Sequence, residues 1–201
     1  MSATAQSGWC DGLRIWLGPE GTSEALLKKN LMLTPAERLD EFVGYCQGAR
    51  ATTSGTFGAF QARRLLDTIP PDLDAVVVGG VAAVLHGSFL MTWDLDLVAP
   101  DTASVRSRWT AVFGQPSHGA DEAPGALFFI TTFGNVDCRL DSTMHGKLVL
   151  RAQNVSVSEH AVKVACVDDL VELKSPPANQ DQQLRLWELL ELRELLKAEQ
   201  I

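Results

Sequence analysis

The chain predicts an α+β fold of α/β-like character, a small mixed β-sheet flanked by helices. Three observations carry that prediction. First, the apolar run Val76-Val77-Val78 enters Gly79-Gly80, continues as a short helical segment to Ser88, and returns as the strand-like Thr92–Val98. Second, segments with helical spacing lie at both ends, over 34–67 and 181–199. Third, short strand-like runs separated by turn residues fill the stretch between them. At 201 residues, 46% hydrophobic and 21% charged, the chain is long enough to bury a core within a single domain.

Residues 1–30, rich in Gly, Ser and Thr, read as a flexible N-terminal extension, and residues 31–201 as the domain. Its helical lead-in, 34–67, begins with Thr34-Pro35-Ala36-Glu37, a capping box with proline at the first helical position. Leu39, Phe42, Val43 and Cys46 follow at helical spacing. Residues 51–56 read as a loop, and Phe57–Asp67 as a second helix stopped by Pro70-Pro71. The core, 72–174, opens with strand 75–79, helix 80–87 and strand 92–98. Asp101 or Thr102 caps a helix running to Phe113. A loop from Gly114 to Gly125 precedes strands Leu127–Thr132 and Asn135–Leu140, and 155–157 with 162–164 make a further hairpin. Asp168 is expected to cap a helix over Leu170–Lys174. After the Pro-containing break 175–180, the C-terminal helix 181–199 presents Leu184, Trp187, Leu190 and the Leu192–Leu196 stretch.

Charge and composition narrow the function classes. A net charge of -8 argues against broad, nonspecific nucleic-acid binding, which depends on neutralising phosphates. The four cysteines, Cys10, Cys46, Cys138 and Cys166, form no C-x-x-C pair, which points to free thiols in a reducing cytoplasm rather than zinc. Cys138 and Cys166 sit in apolar runs and read as core residues. No apolar run is long enough to span a bilayer, so a cytoplasmic location without membrane attachment is expected.

The chemistry concentrates around residues 79–96. Asp94 and Asp96 alternate along a strand and so project from one face. Paired carboxylates repel and resist desolvation unless a cation lies between them, and Mg2+ suits oxygen ligands. Gly79-Gly80 allows close backbone approach, and the amides opening the next helix favour an anion. A third carboxylate from a neighbouring strand would complete such a site; Asp137 is the first choice and Asp141 its competitor. His86 is better read as a packed or capping histidine than as a nucleotide contact.

Gly79-Gly80, the short helix ending His86-Gly87-Ser88, and Thr92-Trp93-Asp94-Leu95-Asp96 together resemble the nucleotidyltransferase superfamily, above all minimal bacterial members of the AbiEii and MenT toxin type. Val167–Lys174 is similar to the helix ending in lysine of those proteins, and Asp181 to the aspartate downstream of it. The resemblance runs from about residue 72 to 190. It implies a nucleotidyltransferase fold, with Asp94, Asp96 and Asp137 holding Mg2+ (or Mn2+) as catalytic ligands. Gly79, Gly80, Ser88, Thr92 and Asp181 would contact the nucleotide, and Lys174 would neutralise phosphate charge. The implied reaction moves an NMP from an NTP to a hydroxyl of a tRNA 3′ end or a protein, as in a toxin with a cognate antitoxin. A non-catalytic binding protein of the same fold and an antibiotic-modifying transferase are the alternatives. The chain departs from the pattern at three places: no Arg follows Ser88 in Phe89-Leu90-Met91, Trp93 stands where a basic residue is frequent, and Gln180 replaces the Lys before Asp181.

Overall fold

The computed structural model describes residues 23–51, 60–89, 92–117, 125–157 and 161–199. The expected extension before residue 23, the loop 52–56, the helix start 57–59, positions 90–91 and most of the 114–125 loop lie outside the described residues.

Among the described residues a six-stranded open mixed sheet carries helices around it. The strands are β1 (Val76–Val78), β2 (Asp94–Ala99), β3 (Ala126–Thr131), β4 (Gly134–Leu140), β5 (Gln153–Ser156) and β6 (Ala161–Val164), in the spatial order β3-β4-β2-β1-β6-β5. β1 runs antiparallel to β2 and parallel to β6, and β2 runs parallel to β4. The helices are α1 (Ser23–Leu31), α2 (Pro35–Ala51), α3 (Ala62–Thr68), α4 (Gly79–His86), α5 (Ala103–Phe113), α6 (Ser142–Val149), α7 (Val167–Leu173) and α8 (Gln180–Glu199).

β1 is buried along its length, which explains its unbroken valine run. β4 alternates instead: Val136, Cys138 and Leu140 enter the core while Asp137 and Arg139 stand on the open side. α4 ends at Gly87, whose φ of 119° lets Ser88 N–H reach back to the Ala83 carbonyl at 2.9 Å.

The capping box forms as expected. The Thr34 N–H and hydroxyl each donate to Glu37 Oε2 at 2.7 Å, and Glu37 N–H donates to Thr34 Oγ1 at 3.3 Å. Thr102, rather than Asp101, caps α5 by accepting from Val105 N–H.

Several expectations are corrected. α1 lies inside the stretch read as an extension, yet Leu27 is buried and Asn30 Nδ2 donates to the Gly87 carbonyl at 3.2 Å. Residues 23–30 therefore belong to the packed body. Asp168 does not cap α7; Cys166 holds the N-cap position, and Asp168 reaches Arg193 on α8 at 3.7 Å. Cys166 is accordingly half-buried, with its thiol donating to Asp169 Oδ2 at 3.1 Å, whereas Cys138 is a core thiol pushed up to about 12 chiefly by burial. The apolar face of α8 is rotated from the expected one. Leu186, Leu189 and Leu192 are buried while Trp187 is 59% exposed, and Glu188 turns inward with the leucines to bond the end of α4. α6 was not expected: Asp141 serves it as N-cap, accepting from Met144 N–H at 2.9 Å.

Candidate functional site

The sheet register brings the carboxylates to one side. Asp96 stands opposite Asp137 across the parallel β2–β4 pair, and Asp94 opposite Asn135. Residues at opposed and alternate positions share a face, so Asp94, Asp96 and Asp137 project together. Asp96, Asp137 and Lys174 line one open cleft of about 430 Å3, walled also by Gly79, Arg139 and Leu173. Asp141 is committed to capping α6 and lies outside this cleft.

The glycine turn is shaped by this cluster. Gly79 has a φ of +64°, and a Cβ there would overlap the Asp96 carboxylate. A Cβ on Gly80 would overlap the Thr92 side chain, whose hydroxyl donates to Asp94 Oδ1 at 2.8 Å. Gly80 N–H in turn hydrogen-bonds Asp96. The turn therefore packs directly on Asp96 and, through Thr92, beside Asp94. Gly79→Ala is expected to cost about 1–2 kcal/mol from the left-handed backbone alone, with more from the collision. Chemical denaturation measures this, and a variant as stable as the parent would contradict the packing described.

Electrostatics mark the same residues. Asp96 is raised to about 6, first by burial, then by the Asp94 charge, with Lys174 and the Gly80 amide pulling it down and Asp137 pushing it up. Asp137 is also raised, by burial and by Asp94. Such crowded carboxylates are stabilised in their ionised form by a cation set among them.

The donor chemistry fits a hard divalent cation: carboxylate oxygens from adjacent strands, with mutual repulsion to relieve. As the side chains stand, no group of three His, Cys, Asp or Glu among the described residues has metal-holding spacing. Asp94 is meanwhile turned to the Thr92 hydroxyl. The residues fit the ion in kind.

The other expected contacts divide. Lys174 enters both the carboxylate cleft and a narrow notch beside Gly79 and Gly80. Ser88 also lines the notch, but it is buried and its hydroxyl donates to Glu188 Oε2 at 2.9 Å. Asp181 lines neither; its Oδ2 accepts from Arg185 Nε at 2.9 Å. His86 is a packed histidine, its Nε2 lying 2.8 Å from the Ala165 carbonyl and its pKa lowered chiefly by burial.

Two residues at the site escaped sequence reasoning. Glu188 binds Ser88 and also accepts from Phe89 N–H at 2.8 Å, fixing the chain as it leaves α4. Arg185 lines the notch with it. The available signal was a carboxylate at 188 set between the buried Leu186 and Leu189.

No protein-family model matches the chain, and no curated protein matches it in sequence.

Proposed function

We propose that this protein is a nucleotidyltransferase that uses Mg2+ or Mn2+ to move an NMP from an NTP to a hydroxyl acceptor. The observation that supports it best is the convergence of Asp94, Asp96 and Asp137, from parallel neighbouring strands, beside the Gly79–Gly80 turn. In this reading Asp94 and Asp96 hold the cation, with Asp137 completing the set. A cation bound there supplies positive charge against the phosphate on which attack occurs. Lys174, at the junction of cleft and notch, separates carboxylate charge from phosphate charge. Asp137 stands on the open side of β4, where its carboxylate oxygen can take the proton of an incoming hydroxyl. A tRNA 3′ end or a protein hydroxyl is the acceptor in this proposal, with the protein acting as a toxin neutralised by a cognate antitoxin in the cytoplasm. No helix among the described residues is long and apolar enough to cross a membrane.

A second reading, a non-catalytic nucleotide- or partner-binding protein of this fold, draws support from one observation. The Ser88 hydroxyl, expected to meet the phosphates, is engaged by Glu188.

Incubation with each α-labelled NTP, Mg2+ and total tRNA or lysate separates the two. The transferase reading expects incorporation that falls on the order of 10²–10³-fold or more in Asp94→Asn. Equal labelling by wild type and variant would overturn it, and binding without labelling would favour the second reading.

A further inference from the structure

The chain lacks the basic residues that its sequence pattern leads one to expect after Ser88, at Trp93 and at Gln180. Lys174 and Arg139 are the cations that line the carboxylate cleft, and a polyphosphate beside three crowded carboxylates needs further positive charge, since like charges in a partly dehydrated cleft interact strongly. The fold brings in a replacement from a distant element. The notch beside the glycine turn is lined by Gly79, Gly80, Ser88, Lys174, Arg185 and Glu188, among others. Lys174 follows α7 and Arg185 sits in the second turn of α8, so two helices each place one cation against the N-terminal end of α4.

We infer that Arg185 is a phosphate-binding residue, forming with Lys174 the cationic seat for the polyphosphate tail of a nucleotide at the Gly79–Gly80 turn. The nucleotide as ligand rests on the function proposed above; the anion seat rests on the geometry alone.

Three features of the surroundings define the seat. The Glu188 carboxylate faces the same notch and keeps its negative charge, but its two oxygens are held by the Ser88 hydroxyl and the Phe89 amide. Asp181 takes the Nε edge of Arg185 at 2.9 Å and so orients the guanidinium from one side. Asp181 thereby becomes a positioning residue for the arginine rather than a direct nucleotide contact. Finally, the notch holds only about 20 Å3, room for a single water, so a phosphoryl group would have to seat across its mouth rather than inside it. Arginine suits this role because its planar fork pairs with phosphate oxygens in a fixed geometry.

The test is calorimetric titration of the full chain with sodium tripolyphosphate and, separately, with ATP and AMP, all without divalent cation. Arg185→Gln and Lys174→Gln are each expected to weaken tripolyphosphate binding at least about 10-fold. Arg185→Lys, which keeps the charge and loses the planar fork, is expected to fall between the wild type and Arg185→Gln, and ATP to bind more tightly than AMP. Circular dichroism melts run alongside, and the Lys variant serves if the Gln variant is unfolded. Wild-type affinity in folded Arg185→Gln would overturn the inference, as would a wild type that binds neither tripolyphosphate nor ATP at millimolar concentration. Arg185-dependent tripolyphosphate binding with no nucleotide transfer would uphold the seat and remove only the proposed activity.

Discussion

Asp96→Asn is expected to make the cation-free protein more stable at pH 7 while abolishing the proposed nucleotidyl transfer. The folded-state pKa of Asp96, about 6, lies above the ordinary carboxylate value of an unfolded chain. The sign follows from linkage. A raised carboxylate pKa means that the folded state holds its proton more tightly, so stability is greatest at low pH and falls as pH rises through about 4 to 6. At neutral pH the ionised side chain then costs on the order of 1–3 kcal/mol. Asparagine carries no charge, still accepts from the Gly80 amide, and removes one of the repelling neighbours of Asp137. For a chain of this size each kcal/mol corresponds to roughly 2–4 °C in melting temperature. Melting curves of both proteins at pH 4, 5, 6 and 7 in EDTA should diverge progressively above pH 4. Added Mg2+ should then stabilise the wild type and not the variant, because only the parent gains a ligand that binds the folded state alone. Curves that stay superimposed across this range would contradict the electrostatic account of the site.

The second large effect lies in the scaffold beneath the site. Asp169 is 2% exposed, and its carboxylate is held by the Arg151 guanidinium and the Cys166 thiol. Arg151 itself is half-exposed and also approaches Glu172 at 3.5 Å. Removing the arginine leaves a buried charge without its main partner. Breaking a buried pair costs about 3–5 kcal/mol, and the exposure of Arg151 places Arg151→Met near the lower end, about 3 kcal/mol. Because α7 leads directly into Lys174, this loss should weaken the proposed transfer as well as stability. Asp169→Asn introduced into the Arg151→Met background should recover part of the stability, since it removes the stranded charge. Urea unfolding of the two singles and the double variant measures this. An Arg151→Met cost below about 1 kcal/mol would mean that water, rather than arginine, satisfies Asp169.

The legible parts of this molecule were those determined locally. The Thr34–Glu37 box stabilises its helix with groups three residues apart, and the alternation of β4 follows from its own side chains. The carboxylate face could be read because Asp94 and Asp96 share a strand, and Asp137 followed once β2 and β4 were taken as neighbours. What escaped depended on contacts distant in sequence. Ser88 and Glu188 are 100 positions apart, and their bond lies on the buried face of α8 beside Leu189 and Leu192. α1 places Leu27 and Leu31 one turn apart on the core, and its Asn30 amide reaches the end of α4, ties that only the folded chain provides. Asp141 drew attention as a carboxylate and so hid its role as the cap of α6.

The central claim is that the carboxylate face serves transfer of a nucleotidyl group, and the fate of the phosphates tests it most directly. Parallel reactions with NTP labelled at the α- and at the γ-phosphate, in Mg2+ and in Mn2+, report which bond breaks. The account predicts that the α label becomes attached to the acceptor while the γ label leaves in pyrophosphate. Transfer of the γ label instead, or no α label on any acceptor with either cation, would contradict it.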